Sequence, residues 1–369
     1  MNNPITHNWL KVCLVYLFVS ILSLPLISCG GGSGSVGGVT NPPVDSLADW
    51  HWRNPLPQGN GLNGVTYGNG TFVAVGGVGT ILTSPDGVTW RIRNSGTTTY
   101  FLNGVTYGNG TFVAVGESGT ILTSPDGVTW TARESGTANF LTGVTYGNGT
   151  VVAVGGVFGS GVGAILTSPD GVTWTTRNSG TSNFLTGVTY GNRTFIAVGG
   201  SAEGDTILTS PDGITWTARD SGPQSALNGA TYSNGTFVAV GYSGTILTSP
   251  DGASWTARNS GTANVLRGVT YGNGTFVAVG DSGTILTSPD GVAWTIRSSG
   301  TTNFLTGATY GNGTFVVVGG GTILTSPDGV AWTIRSSGTS NFLTGVTYGN
   351  GTFVVVGGSG TIFQSDPIE

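Results

Sequence analysis

Hydrophobic and polar positions alternate in short runs along most of the chain, and the pattern returns every 38 to 44 residues. In one unit the β-prone runs are GVTY (64–67), TFVAV (71–75), TILTS (80–84) and VTWRIR (88–93). Turn-forming residues separate them, and an Asn-Gly step between two such runs is a strong hairpin signal. The pattern predicts four antiparallel strands in each unit.

The unit occurs eight times. The second run carries apolar residues on both of its faces, so each small sheet must be covered on both sides, and radial stacking of sheets provides this. The sequence therefore predicts an all-β fold, an eight-bladed β-propeller of four-stranded antiparallel blades. The units begin at Leu62, Leu102, Leu141, Leu185, Leu227, Leu266, Leu305 and Leu343.

The turn between the third and fourth runs reads Ser-Pro-Asp-Gly and is followed by a Trp. Ser84, Pro85 and Gly87 match the residue preferences of a type I turn, and the Asp86 carboxylate can accept hydrogen bonds from nearby backbone amides. We interpret the repeated aspartates as structural and not catalytic, and the repeated Trp and Tyr as packing residues. The aspartates are Asp86, Asp126, Asp170, Asp212, Asp251, Asp290 and Asp328.

These motifs resemble the BNR or Asp-box propellers, a family that includes sialidases and the photosystem II assembly and stability factors. The resemblance covers about residues 49–365. The family box is usually Ser-x-Asp-x-Gly-x-Thr-Trp, whereas SPDGVTW (84–90) has one residue fewer between Asp and Gly. The resemblance implies the propeller fold, and it leaves a glycoside hydrolase or an assembly factor for a membrane complex as alternative functions.

The last unit stops after TIFQS (361–365) and has no fourth run. Residues 50–54, WHWRN, align with residues 90–94, WRIRN, and can supply the missing strand. An N-terminal strand is therefore expected to complete the last blade, which hides edges that an open array would expose to aggregation. The propeller domain is predicted to span residues 49–369.

The N-terminal segment is predicted to carry a targeting signal. Lys11 precedes a short apolar run, and residues 26–29, LISC, resemble a bacterial lipobox. The resemblance implies a signal peptide at 1–28, lipidation of Cys29 and, because Gly30 follows, anchoring in the outer membrane. Residues 29–48 are rich in Gly, Ser and Pro and are predicted to form a flexible tether. We expect a lipid-anchored protein of the bacterial cell envelope, on either side of the membrane.

Composition narrows the chemistry further. Only 8% of the residues are charged and the formal net charge is −5, with Lys11 as the single lysine, which disfavours nucleic acid as a partner. Cys13 leaves with the signal peptide and Cys29 takes the lipid, so no disulfide is expected. With His51 as the only histidine after the signal peptide, no metal and no cofactor are predicted.

Variable residues should share one side of the ring. The Asn-Gly and Ser-Pro-Asp-Gly turns define one face, here called the box face. The turns between the second and third strands and the linkers between blades define the opposite, variable face, where binding residues are expected because function is commonly carried on variable loops of a rigid scaffold. The candidates are Tyr100, Glu117, Glu134, Val157, Phe158, Glu203, Asp205, Asp220, Tyr242 and Asp281.

Catalysis is disfavoured because the polar residues are mostly repeated, whereas a reaction centre needs different groups in distinct roles. Arg267 is the only arginine on an inner strand, while the sialidases of the resembled family use three. The sequence predicts a monomeric, non-catalytic binding or scaffold module for a protein, peptide or glycan. A sialidase-like hydrolase and an assembly factor remain the alternatives.

Overall fold

The strands follow one another in short hairpins. The computed structural model describes residues 45, 47–53, 59–157, 162–201, 204–222 and 225–368, so the predicted signal peptide, most of the tether and Cys29 lie outside the described residues. In the described ranges the strands are β1 (Trp50–Trp52), β2 (Leu62–Gly68), β3 (Thr71–Gly76), β4 (Ile81–Ser84), β5 (Arg91–Arg93), β6 (Leu102–Gly108), β7 (Thr111–Gly116), β8 (Ile121–Ser124), β9 (Thr131–Arg133), β10 (Phe140–Gly147), β11 (Thr150–Val157), β12 (Val162–Ser168), β13 (Thr175–Arg177), β14 (Leu185–Gly191), β15 (Thr194–Ser201), β16 (Gly204–Ser210), β17 (Thr217–Arg219), β18 (Leu227–Ser233), β19 (Thr236–Gly241), β20 (Ile246–Ser249), β21 (Thr256–Arg258), β22 (Leu266–Gly272), β23 (Thr275–Gly280), β24 (Ile285–Ser288), β25 (Thr295–Arg297), β26 (Leu305–Gly311), β27 (Thr314–Gly319), β28 (Thr322–Ser326), β29 (Thr333–Arg335), β30 (Leu343–Gly349), β31 (Thr352–Gly357) and β32 (Ile362–Ser365).

Short 3-10 turns connect the second and third strands of five blades. They span Gly77–Gly79, Glu117–Gly119, Tyr242–Gly244, Asp281–Gly283 and Gly358–Gly360 in the part of the chain that the structure describes.

The strands form eight four-stranded antiparallel sheets within the described residues. The first blade has the order β2-β3-β4-β5, and each blade up to the seventh likewise follows the chain. The innermost strand β2 lies beside β6 of the second blade and β30 of the eighth, so the blades close into a ring. The protein is an eight-bladed β-propeller, which confirms the predicted fold.

The N-terminal strand completes the eighth blade, as predicted. Strand β1 pairs antiparallel with β32, with Trp50 opposite Ser365. The side chain of His51 contacts the Asp366 carboxylate at 2.5 Å. Because β1 covers the edge of β32, the ring is joined by segments from opposite ends of the described chain.

The hydrophobic core is divided into clusters between neighbouring blades. Phe72 and Ala74 of the first blade pack against Val354 of the eighth. Val73, on the other face of β3, packs against Leu102 of the second blade. All of these side chains are fully buried. A single blade therefore has no core of its own, and the fold depends on stacking each blade on its neighbours.

In seven of the eight blades the inner strand ends at a glycine that lies against a tyrosine of the next blade. A Cβ atom added at Gly68 would lie 2.2 Å from the ring of Tyr107 in the next blade, and one at Gly349 would meet Tyr67 at the same distance. A side chain at these positions would therefore force the tyrosine ring to move, and the fifth blade is the one in which a serine, Ser233, takes the place of the glycine. The repeated tyrosines therefore lie at blade-to-blade contacts, in agreement with their interpretation as packing residues.

The fourth strand is shorter than the sequence predicts. The prediction for the first blade covers residues 88–93, whereas β5 covers only Arg91–Arg93. The backbone N–H groups of Val88 and Thr89 each donate to the Asp86 carboxylate at 2.9 Å, so they cannot join the sheet. Residues 88–90, the first half of the expected strand, therefore belong to the turn.

The third and fourth units have extra residues between their second and third runs, and the strands on either side are longer than in the other blades. In the third blade β11 pairs with β12 as far as Val157 and Val162. In the fourth blade β15 pairs with β16 as far as Ser201 and Gly204. Both hairpins extend the variable face of their blades.

Candidate functional site

The Ser-Pro-Asp-Gly turns on the box face are closed by their own hydrogen bonds. In the second blade the amide of Gly127 donates to the Ser124 hydroxyl at 2.8 Å. The Asp126 carboxylate accepts from the N–H groups of Val128 and Thr129 at 2.8 and 2.9 Å. The two backbone N–H bonds to the carboxylate recur in the other six boxes, so the carboxylates are occupied by backbone donors and serve the hairpin.

These hydrogen bonds stabilise the charged form of the aspartates. The backbone N–H groups of Thr129 and Val128 hold the pKa of Asp126 below its ordinary value, although partial burial opposes them. At Asp86 burial is the largest single influence and raises the pKa, but the hydrogen bonds together outweigh it. The pKa is lowered at the remaining box residues as well, namely Asp170, Asp212, Asp251, Asp290 and Asp328.

The indole of each boxed Trp completes the turn. In the second blade Trp130 Nε1 donates to the carbonyl of Gly127 at 2.9 Å. Trp50, in the eighth blade, has no such box, and its buried Nε1 has no hydrogen-bond partner in the described part of the chain. The closing blade is therefore the one in which this repeated brace is incomplete.

The variable face is assembled from linkers and short turns of neighbouring blades. The N–H of Glu117 donates to the carbonyl of Phe101 at 2.9 Å, and the N–H of Gly119 donates to the carbonyl of Asn139 at 2.7 Å. These bonds hold a turn of the second blade between the linkers on either side. The variable residues are thus presented on a braced backbone.

The structure places the described candidates on this face and divides them among several blades. Two of the ten candidates, Phe158 and Glu203, lie outside the described residues. The other eight lie in the variable-face turns, hairpin ends and linkers: Tyr100, Glu117, Glu134, Val157, Asp205, Asp220, Tyr242 and Asp281. Tyr100 and Glu134 line the same groove, whereas Val157 and Tyr242 lie on separate blades.

The carboxylate of Asp205 lies in a more buried environment than the boxes. It accepts a hydrogen bond from the Ser221 hydroxyl at 2.5 Å. Burial raises the pKa of Asp205, the nearby Asp220 charge acts in the same direction, and the Ser221 bond opposes both. This carboxylate therefore differs from the repeated aspartates in the direction of its pKa change.

Arg267 interrupts a belt of hydrogen bonds around the inner strands. At the same position of the other blades an Asn or Thr side chain donates to the Leu carbonyl of the next blade, as Asn63 Nδ2 does to Leu102 at 2.9 Å. The remaining donors in the described residues are Asn103, Thr142, Thr186, Asn228, Thr306 and Thr344.

The guanidinium of Arg267 turns to the variable face instead. It forms a two-point contact with the Asp281 carboxylate, including Nη2 to Oδ2 at 3.1 Å. Its central carbon lies 5.6 Å from the centre of the Phe304 ring. The positive charge is balanced within the chain, so the pair is a local feature of the surface between the sixth and seventh blades.

Two grooves open at equivalent places on the variable face. One, at the second blade, has a volume of about 430 Å³, and the other, at the sixth blade, about 690 Å³. We call them the Tyr100 groove and the Asn264 groove after the residue of the preceding linker that lines each. Backbone glycines and Ser or Thr side chains line both, and the Tyr100 groove adds an aromatic ring and the Glu134 carboxylate.

Within the described residues, five exposed apolar residues of the variable face were not among the predicted candidates: Val78, Phe101, Val162, Phe304 and Phe342. Val78 is 42% exposed and has a φ of 55°, a conformation that is strained for a β-branched side chain. Phe101 is 46% exposed beside the Tyr100 groove, and Phe304 is 49% exposed beneath Arg267. For Val78 the available signal was Val in place of the Ser that the other four turns of this kind carry.

The described residues contain no group of three or more His, Cys, Asp or Glu side chains that could hold a metal ion. In the same residues no helix is long and apolar enough to cross a membrane.

Among the comparisons with known proteins, only the search of solved structures found matches, and these show the fold. No family model matches the chain, and no curated protein sequence matches it. Among solved structures, the computationally designed Ika8 protein has a TM-score of 0.70 and 14% identity, over 84% of this chain and 98% of its own. The chain is thus similar in fold to a designed protein.

Two natural proteins share the architecture. YCF48 bound to D1 peptide has a TM-score of 0.59 and 17% identity, over 86% of this chain and 94% of its own. Virginiamycin B lyase from Staphylococcus aureus has a TM-score of 0.59 and 14% identity, over 87% and 99%. At such identities the likeness shows the β-propeller fold alone, which one neighbour uses with a peptide bound and another is named as a lyase.

Proposed function

We propose that this protein is a non-catalytic, lipid-anchored binding or scaffold module of the bacterial cell envelope, of the Asp-box type, whose variable face binds a protein or peptide. One observation carries the proposal. The described candidate residues that depart from the repeat, such as Tyr100, Glu134 and Tyr242, all lie on one face, whereas the box face repeats its interactions from blade to blade. The proposed module needs no cofactor and no metal.

The fold supports a role in binding. YCF48, which has the same fold, is seen with a D1 peptide, so a propeller ring of this architecture can hold a peptide. An assembly factor for a membrane protein complex is the more specific form of this function. A ring of nearly identical blades also allows weak contacts to be combined through avidity.

The lipid anchor rests on the lipobox resemblance at Cys29. More than one acyl chain is needed for stable anchoring, and lipoproteins of this type carry such a set on the cysteine. The test is detergent phase partition of the protein expressed in bacteria. We expect wild type in the detergent phase and Cys29→Ala in the aqueous phase or unprocessed. The same partition for both would contradict the anchor.

The binding face can be tested with a photoreactive amino acid at matched positions. Tyr242 on the variable face and Val292 on the box face are 50% and 49% exposed, so they are equally accessible. In intact cells we expect the Tyr242 site to give a specific crosslinked product and the Val292 site to give none. Equal labelling from both sites would contradict the assignment of the face.

The hydrolase alternative has its own test. A fluorogenic sialoside is incubated with wild type and with Arg267→Ala. We expect no turnover by either protein, because Arg267 is already paired with Asp281. Turnover by wild type that the substitution abolishes would favour a sialidase-like enzyme.

A further inference from the structure

Two residues that line the Tyr100 groove, Tyr100 and Glu134, differ from the residues that most blades have at these positions. The groove lies between the linker before the second blade, which ends at Tyr100, and the linker after that blade, which begins at Glu134. The equivalent groove at the sixth blade has Asn264 and Ser298 at these positions. The two differences therefore bring an aromatic ring and a carboxylate to one groove, whereas the groove at the sixth blade has neutral polar groups at both positions.

Tyr100 replaces a residue that elsewhere braces the fold. In other linkers an Asn at this position donates to the Thr that precedes the third strand, as Asn264 Nδ2 does to Thr284 Oγ1 at 2.9 Å. The same bond joins Asn183 to Thr206 at 2.8 Å. A tyrosine has no amide to make it, and the ring of Tyr100 is 39% exposed at the groove. The substitution gives up a repeated bond and presents an aromatic surface.

Glu134 departs from the repeat in a similar way. At this position Asn94 and Asn178 cap the linker turn, with Asn94 Oδ1 accepting from the N–H of Gly96 at 2.9 Å. Glutamate is one methylene longer, and within the described residues no such bond joins Glu134 to Gly136. Its carboxylate is exposed and lines the groove.

The charges around the groove favour a cation. Arg133 is the basic residue among the lining residues, and its Nε donates to Thr123 Oγ1 at 2.8 Å, as the equivalent arginines do in other blades. Glu117 adds a second carboxylate beside the groove and accepts from the N–H of Phe101 at 3.3 Å. An aromatic face together with carboxylates is a combination that attracts ammonium and guanidinium groups.

We propose that the Tyr100 groove binds the cationic side chain, Lys or Arg, of a protein or peptide segment, with the cation against the Tyr100 ring and paired with Glu134. This rests on the proposed function, because it names the chemistry of the partner on the same face. The exposed side chains of Phe101 and Val78 supply an apolar surface for a residue next to the cation. The acidic balance of the whole chain also favours the approach of a basic segment.

The first test is an equilibrium titration of the full chain in detergent at low salt. The probe is a fluorescein-labelled hexapeptide with one lysine beside a leucine, followed by fluorescence anisotropy. A matched peptide carries norleucine in place of lysine, and a third carries arginine. We expect both cationic peptides to bind at least tenfold more tightly than the norleucine peptide, and to weaken as salt is raised.

The test variants restore the repeat, so they are expected to fold. Tyr100→Asn and Glu134→Asn place the residues that other blades have at these positions. We expect each to weaken binding of the lysine peptide about threefold, and the double variant about tenfold. The control, Asn264→Ala together with Ser298→Ala, alters the other groove and should leave binding unchanged.

A transfer experiment gives a gain of function. In the double variant with Tyr100→Asn and Glu134→Asn, the substitutions Asn264→Tyr, Ile296→Ala and Ser298→Glu rebuild the site at the sixth blade. We expect binding of the lysine peptide to return to within about threefold of wild type. Its return would locate the specificity in these side chains and not elsewhere on the ring.

Three results would overturn the assignment. These are equal binding of the lysine and norleucine peptides, unchanged binding by the double variant, and displacement of the lysine peptide by a neutral oligosaccharide. If the Tyr242 crosslinks still identify a partner while any of these results is found, the proposed function stands and the cation site falls. If that crosslinking fails, the proposed function falls independently.

Discussion

The Tyr100 groove and the Asn264 groove are built on the same turn of the repeat but differ in their side chains, and the linker that leads to Leu102 has one residue more than the linker that leads to Leu266. In each, a glycine with positive φ, Gly119 or Gly283, allows the turn to approach the linker, where a Cβ would lie about 2 Å from a Thr carbonyl oxygen. The positions at which the lining differs are Tyr100 and Asn264, Ala132 and Ile296, and Glu134 and Ser298. The difference teaches that residues held in common carry stability, while the departures are available for recognition.

The division between stabilising and recognition residues has a physical basis. A propeller repeats the same packing between each pair of blades, so a residue of the repeat serves the same structural role in every blade. A residue that differs from the repeat affects only its own blade. Asn264 keeps its bond to Thr284, and Tyr100 does not make the corresponding one. If the comparison is correct, changes at repeated positions destabilise the protein, and changes that restore the repeat stabilise it.

The largest effect is expected from opening the ring that both grooves share. Deleting residues 48–54 removes β1 and leaves the eighth blade with three strands. The partly buried Trp50 packs on the core cluster of that blade, and the loss of a fully buried Trp, about 3–5 kcal/mol, is the upper value for its contribution. We expect the melting temperature, measured by circular dichroism, to fall by about 10 °C or more.

A deletion of residues 30–36 in the predicted tether is the control and should leave the melt unchanged. An unchanged melt for the deletion of 48–54 would mean that β1 adds nothing to closure, and both grooves would then rest on an open array.

Acid should destabilise the second and sixth blades to a similar extent, because both have the same Ser-Pro-Asp-Gly turn. The backbone N–H bonds at Asp126 and Asp290 lower the pKa of these carboxyls in the folded protein. An acid with a lowered folded pKa stabilises the fold above its unfolded pKa, 3.8, and loses that contribution as the pH falls through the folded value. We expect a level melting temperature between about pH 5 and 7 and a steep decline below 3.8.

The measurement is a series of thermal melts at constant ionic strength. Stability that rises as the pH is lowered from 5 to 3 would contradict a stabilising role for the ionised boxes.

Single boxes should contribute equally under the two grooves. Asp126→Ala at the second blade and Asp290→Ala at the sixth remove the same side-chain acceptor of backbone N–H groups. By analogy with the loss of a helix cap, each should reduce the free energy of unfolding by about 1 kcal/mol. Urea unfolding measures it, and Asp126→Asn, which keeps an acceptor, is the matched control.

Neither alanine substitution should change binding of the lysine peptide in the Tyr100 groove by more than about twofold, because the boxes lie on the opposite face. A large loss for Asp126→Ala alone would show that the scaffold and the groove are coupled.

The difference between the repeated structural positions and the variable positions could largely be predicted from the sequence, because the same pattern occurs in each of the eight units. The alternation of apolar residues in TFVAV predicted cores on both sides of each blade, and the alignment of Trp50 with Trp90 predicted closure. The two faces followed from strand order alone. These features depend on local patterns that each blade repeats.

The features that could not be predicted depend on contacts that form only when the turns and hairpins are folded. The bond of Val88 and Thr89 to Asp86, which shortens the fourth strand, becomes visible only when the turn is folded. Likewise, Arg267 reaches Asp281 across one hairpin of the sixth blade. Sequence spacing gave no measure of either contact, nor of the groove that brings Tyr100 and Glu134 together.

Restoring the repeat at Tyr100 should separate stability from binding. Tyr100→Asn can donate to Thr120, as Asn264 does to Thr284 at 2.9 Å. A typical internal hydrogen bond contributes about 0.5–1.5 kcal/mol, so the variant should unfold at slightly higher urea than wild type while binding the lysine peptide less well. Tyr100→Phe, which restores no bond, is the control. A loss of stability in Tyr100→Asn would indicate that the ring supports the fold.

The smallest expected effect concerns Asp205, a non-repeated carboxylate outside both grooves. Burial, with the Asp220 charge, raises the pKa of Asp205, so its ionised form at neutral pH opposes folding. An acid with a raised folded pKa contributes stability below its unfolded pKa and loses it as the pH rises through the folded value. Asp205→Asn keeps an acceptor for Ser221 and should raise the free energy of unfolding at pH 7 by a few tenths of a kcal/mol, since the side chain is partly exposed.

The gain in stability should disappear in melts at pH 3.5, where wild-type Asp205 is protonated. As a second control, Asp220→Asn should give a smaller gain with the same sign. A gain of equal size at both pH values would mean that packing, and not charge, sets the cost of this departure from the repeat.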